Sequence, residues 1–182
     1  MLNNKKAFSL IELAVTVSII GILSSLSINI LNEYKDRVYA MAIVVDLKNI
    51  ETALRAYMLD TASRTWPFET AIPGGGQDPS INQLVQNANG LGRFMKFAPT
   101  PKVGNPKTYH YDNDNWDLDG YNPANCSQRY DGVGLSITGL KASHIRIINK
   151  ALDRDNNLNC GNLREHVPGG VYYMMSRRYN IL

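Results

Sequence analysis

The chain is poor in the residues from which active sites are built. It has two cysteines and three histidines among 182 residues, and a formal net charge of only +3. The cysteines have no CxxC step, which argues against metal binding by free thiols. His110, His144 and His166 show neither an HExxH spacing nor a comparable carboxylate spacing. Ser136, in Gly-Leu-Ser-Ile-Thr, lacks the second glycine of a nucleophile elbow. The segment Gly134-Leu-Ser-Ile-Thr-Gly-Leu-Lys141 misses a phosphate loop, because Leu140 stands where the lysine should follow Gly139. These absences predict a protein that is not an enzyme. So small a net charge gives no case for nucleic-acid binding driven by bulk electrostatics. No long repeat and no low-complexity tract divides the chain.

Charge is also absent from Leu13 to Leu31, a run long enough for the ~20 residues that a bilayer core requires. Lys5 and Lys6 precede it, so the positive-inside rule places the first residues in the cytoplasm and the bulk of the chain outside. Glu12 stands at the edge of the run. A carboxylate costs about 2.5–3.5 kcal/mol at mid-membrane and less near an end, and an acid so placed marks function and needs a partner. A cleaved secretory signal would use Ser25-Leu26-Ser27 as its cut site, but its apolar core would span only about 7–15 residues. A plain signal anchor accounts for length and orientation and leaves Glu12 without a partner. Gly21 and Ser25 form a small-xxx-small step of the kind that lets helices approach closely in lipid.

Lys5-Lys6-Ala7, then Phe8-Ser9-Leu10-Ile11-Glu12, then Gly21 resembles the amino terminus of type IV pilins and type II secretion pseudopilins. The resemblance implies a leader, residues 1–7, removed by a prepilin peptidase between Ala7 and Phe8. It implies N-methylation of the new Phe8 amine. It also implies that Glu12, fifth in the mature chain, neutralises the Phe8 amine of a neighbouring subunit, which offsets the desolvation of both groups. Ala7 replaces the family's usual glycine and asks the peptidase to accept one more methyl group. Asn29 stands where major subunits often carry a kinking proline, which points to a minor subunit. The implied protein is a structural subunit of a type IV pilus-like filament, assembled with other pilin subunits. It would start as a bacterial inner-membrane precursor and end in a cell-surface or periplasmic filament. The alternatives are a pseudopilin acting in type II secretion, and a tip-located minor pilin gripping DNA or a host-surface ligand; a bitopic membrane enzyme is more distant.

The expected fold is α+β and pilin-like, a long amino-terminal helix packed on a small antiparallel sheet head. Tyr34, Val38, Met41, Val45, Leu47, Ile50, Leu54, Tyr57 and Met58 follow a three-four rhythm. One helix is therefore predicted from Phe8 to Leu59, residues 8–31 in lipid or the filament core and 32–60 amphipathic. Pro67 disfavours helix at Trp66, and residues 61–182 form the head. Within it a short helix is predicted at Ser80–Asn87, a second at Lys141–Leu152, and strands at Lys107–Tyr111, Gly132–Ile137 and Val171–Ser176.

An even cysteine pair outside the cytoplasm predicts a Cys126–Cys160 disulfide, worth ~3–4 kcal/mol on the loop-entropy account. A carboxy-terminal pair closing a loop also resembles the disulfide-bounded region of type IV pilins. Two acidic tracts carry oxygens in calcium-like order. Asp153, Asp155, Asn157 and Asn159 alternate as in an EF-hand loop, but Leu158 replaces its glycine and Arg164 its bidentate glutamate. Asp117 and Asp119 precede Gly120 without a closing glutamate. Both are expected to be polar turns, with calcium, which some pseudopilins bind, as the alternative use. No other cofactor is expected. The tail residues Tyr172, Tyr173, Arg177, Arg178 and Tyr179 have the composition of a stacking surface for single-stranded nucleic acid, and are expected instead to form an edge strand with a solvated charge pair.

Overall fold

Leu10–Asp60 form one continuous helix, α1, as a stretch free of proline allows. The computed structural model describes residues 8–61, 65–67, 78–86, 90–113 and 132–176. The chain divides into two compact units, Met1–Asp36 and Arg37–Leu182, and α1 contributes to both.

In the first unit no described residue is buried. By length and composition this is the only helix among the described residues able to cross a membrane. Three of its hydroxyl side chains are satisfied by the helix itself: Thr16 donates to the Leu13 carbonyl, Ser18 to Ala14 and Ser27 to Leu23, each at 2.8 Å. Such back-bonding satisfies in lipid the donors that would otherwise be costly.

In the second unit the core begins at Ala40. Ala40, Ile43, Leu47, Ile50, Ala53, Leu54 and Met58 form the buried face of α1. The expected face was right from Leu47 onward and wrong before it: Tyr34, Val38, Met41 and Val45 are exposed. At 3.6 residues per turn the two sets lie on roughly opposite sides of the helix. Both have apolar periodicity, and only the packing partner selects between them.

That partner is a four-stranded antiparallel sheet in the order β1-β2-β4-β3, built from β1 (His110–Asp112), β2 (Val133–Ile137), β3 (Leu163–Val167) and β4 (Gly170–Ser176). Val133, Leu135, Ile137, Val171, Tyr173 and Met175 share one cluster with the helix face, as the two-residue period of a strand dictates. Tyr172 and Met174 point to the opposite face and form a small cluster of their own. Two shorter helices, α2 (Ile81–Gln86) and α3 (Ala142–Leu152), and a 3-10 turn at Leu91–Arg93 complete the described elements. Ile145 and Ile148 of α3 join the core.

Three differences from expectation have clear causes. β1 begins at His110 rather than Lys107, since Lys102–Thr108 run through successive bends. β3 was not foreseen because Arg164, Glu165 and His166 give it no apolar alternation. Its pairing with β4 closes a hairpin at Pro168-Gly169, where Gly169 takes a φ of +76°, and a Cβ there would lie 2.9 Å from the Leu140 carbonyl. Finally, β4 is an interior strand, not an edge, and Tyr172 and Tyr173 are buried. These two rings are therefore unavailable as a nucleic-acid stacking surface; Arg177, Arg178 and Tyr179 lie outside the described residues.

A polar cluster ties α1 to the sheet. Lys48 donates to the Tyr173 phenol, which donates to Glu51 at 2.8 Å. Glu51 also receives both Nε and Nη2 of Arg55, at 2.9 and 2.8 Å. Arg55 reaches the Met175 carbonyl and lies over the Trp66 ring.

Candidate functional site

The amino-terminal turn of α1 is built by two side chains. Ser9 is the residue before the helix, and its carbonyl accepts the first helical bond from Leu13 at 3.1 Å. Its hydroxyl accepts from the Ile11 amide at 3.4 Å, while Glu12 reaches back to accept the Ser9 amide at 2.9 Å. This is a variant of the capping box, whose signature is Ser-x-x-Glu, in which the hydroxyl takes the N2 rather than the N3 amide. The charge of Glu12 marks it in the sequence as an intramembrane acid; the spacing Ser9-Leu-Ile-Glu12 marks it equally as a helix-start residue, the role the structure gives it. Glu12 thus has a local partner, and its carboxylate completes the helix start at the place where a negative charge complements the helix dipole.

Around it Phe8 is 85% exposed and Ile11 70% exposed. Phe8, Ile11, Val15 and Thr16 line an apolar surface concavity together with Glu12. Ala7, the residue expected before the cut, lies outside the described residues. A Cβ added to Gly21 would meet nothing within 4 Å, so its lack of a side chain serves no contact within this chain.

The remaining candidates are scattered over the second unit. Asp153 ends α3, and its two carboxylate oxygens accept the amides of Asn162 and Leu163 at 3.0 and 2.8 Å. Asp155 Oδ1 accepts the Asn149 side-chain amide at 2.9 Å and the Asn157 amide at 3.0 Å. Asn157 accepts the Asn159 amide at 3.0 Å. The tract folds as consecutive polar turns whose oxygens accept from nearby backbone amides and from the Asn149 side chain, as suits Asp and Asn in turns. Among the described residues no three His, Cys, Asp or Glu side chains converge as a metal site. Asp117 and Asp119 lie outside the described residues, as does Cys126. Cys160 sits in the same α3–β3 loop, and among the described residues no cysteine is free.

The histidines fall in three separate places. His110 Nδ1 lies 3.0 Å from the Asp78 carbonyl, His144 is buried at the start of α3, and His166 is on β3. Ser136 lies on the face of β2 turned away from the core. Ser136 stands directly across the β1–β2 ladder from His110, whose Nδ1 is taken up by the Asp78 carbonyl.

Electrostatics single out the junction between α1 and the sheet. Burial pushes the Glu51 carboxyl up, but hydrogen bonds from Tyr173, Arg55 and Lys48 outweigh it and hold it below its ordinary value. Burial acts to lower the Lys48 amine, and its bonds to Tyr173 and Glu51 reverse that and raise it. Asp46 is raised by burial, against a 2.8 Å bond from Tyr109 and the nearby charge of Lys102. The arrangement fastens one element to another.

Comparison with known families matches residues 2–28 to the prokaryotic N-terminal methylation motif. Neither the curated proteins nor the solved structures provide a match to the chain.

Proposed function

We propose that this protein, whose amino terminus carries the type IV pilin and pseudopilin signal, is a structural subunit of a type IV pilus-like filament. The family that bears this signal is structural rather than catalytic. The precursor is held in the inner membrane by the apolar half of α1. Prepilin peptidase cleaves between Ala7 and Phe8, the Phe8 amine is methylated, and the helix then leaves lipid to pack against other pilin subunits. The observation that carries this reading is the exposed stretch Leu13–Leu31 of α1, which carries no charge, joined to a matched methylation motif. An apolar surface of this size has to be covered by lipid or by other helices.

Glu12 takes the assembly role. In the free chain it accepts the Ser9 amide, which lowers the cost of carrying an acid at the membrane edge. On assembly a neighbour's Phe8 amine offers it a stronger, charge-assisted partner. Gly21, free of contacts within the chain, gives a neighbouring helix room to approach. In the head we pair Cys126 with Cys160; the absence of a free thiol among the described residues supports this.

The test is the intact mass of the membrane-extracted protein, made with and without a prepilin peptidase. Loss of residues 1–7 together with one added methyl group is the expected result. An uncut chain in both cases would replace this reading with a plain signal anchor. In the same cells Glu12→Ala should be cleaved yet fail to enter filaments. Normal incorporation of that variant would remove the pairing of Glu12 with the amine.

A further inference from the structure

A cleft of about 260 Å³ lies in the head between α2 and the bends that precede β1. Its floor is Ile81 and Tyr109, each 1% exposed and part of the core. Its walls are tied together by backbone bonds, Ile81 amide to Tyr109 carbonyl at 2.9 Å and Tyr111 amide to Pro79 carbonyl at 2.8 Å. The Tyr109 phenol is anchored on Asp46 at 2.8 Å. The cleft is therefore preformed and does not need a ligand to order it.

The polar side chains that line it are Asn82, Thr100, Lys107 and Thr108. From Pro79 to Tyr111 the sequence contains no Asp or Glu and four cations, Arg93, Lys96, Lys102 and Lys107. Of these, Arg93 is paired with Asp60 at 2.8 Å, and Lys107 alone lines the cleft. The carboxylate bound to the floor, Asp46, has Lys102 as a nearby counter-charge. An apolar ligand would strip water from the lysine, hydroxyl and amide groups without replacing their hydrogen bonds. A nucleic-acid strand would call for several cations tracking its backbone, where the lining has one. One cation beside two hydroxyls and an amide matches a hydroxyl-rich ring bearing a single negative group.

We infer that this cleft binds one anionic sugar unit, with Lys107 holding its carboxylate or phosphate and Thr100, Thr108 and Asn82 taking its ring hydroxyls. The site belongs to the head and does not depend on the assembly reading.

The test uses the full chain in detergent micelles, titrated with glucuronate, glucose 6-phosphate and glucose, with binding read from ligand NMR line broadening. One or both anionic sugars should saturate with a dissociation constant on the order of 1 mM, as suits so small a ligand. Glucose should bind about tenfold more weakly, the size of one charge-assisted contact. The tighter of the two anions identifies the carboxylate or the phosphate as the natural group. Lys107 is exposed, so Lys107→Gln should melt like the wild type while its affinity for either anion drops to the level of glucose. Lys107→Arg should keep the preference for anions. Failure of both anions to saturate overturns the proposal. So does undiminished binding by Lys107→Gln, or anion binding no tighter than that of glucose.

Discussion

Tyr173 accepts from Lys48 and donates to Glu51, and Glu51 also holds Arg55, so one phenol of β4 connects to three charged positions of α1. Tyr173→Phe keeps the buried ring and removes both bonds. We expect it to lower stability by ~1.5–3 kcal/mol, the range for a hydrogen bond to a charged group, measured as a shift in urea midpoint with an unchanged slope. The carboxylates of this region respond to pH in opposite senses. Glu51 titrates below its ordinary value of 4.5 when folded. Its stabilisation is therefore present above that value and is lost as pH falls through the lower folded one. Asp46 is raised above its ordinary 3.8. Its stabilisation is present below that value and is lost as pH rises through the higher folded one. Asp46→Asn retains an acceptor for Tyr109 and removes this loss. The variant should be more stable than wild type near neutral pH, and the gain should vanish below about pH 3.8. A gain that persists in acid would show that Asp46 is not the group responsible.

At the scale of the element, α1 shows how far a periodic pattern reaches. Its existence, length and continuity follow from composition alone, and its observed ends, Leu10 and Asp60, fall within two residues of those expected. The side it turns to the sheet does not follow, because Val38, Met41 and Val45 alternate with Ala40, Ile43 and Leu47 as a second apolar stripe. Ile43 is 0% exposed and Val45 54%. Ile43→Ala should cost ~2–4 kcal/mol through lost burial and a residual cavity, while Val45→Ala should change stability by under ~0.5 kcal/mol. Thermal melting of the two variants checks the pair, and similar effects would mean the face is wrongly assigned. β3 escaped notice for a related reason: Arg164 is only 3% exposed, and a strand that buries an arginine has no apolar signature. The capping box at Ser9 and Glu12 was legible, since it depends only on residues three apart.

For the whole molecule, the core begins at Ala40 and recruits no residue from the exposed apolar helix. Residues 37–182 should therefore fold without the membrane segment, with a single cooperative melting transition in aqueous buffer. Reductant should lower that transition, because opening the proposed Cys126–Cys160 loop removes ~3–4 kcal/mol on the loop-entropy account; an unchanged melting temperature would sink the pairing. The amino acid sequence by itself determined the membrane-length segment, the methylation motif and the single helix that continues it. Each of these rests on interactions within a contiguous stretch or between that stretch and lipid, so nothing distant is needed to read it. Tertiary structure decided which stripe of α1 is buried, that β4 lies inside the sheet, and that Tyr172 takes the space left by Gly134, where a Cβ would come within 2.2 Å of its ring. It also decided that the oxygens of Asp153 and Asp155 are spent on the loop they belong to, and that Asn82, Thr100, Lys107 and Thr108 share one cleft. Those outcomes depend on partners far away in the chain, and a local pattern cannot specify which of its faces a distant partner will cover.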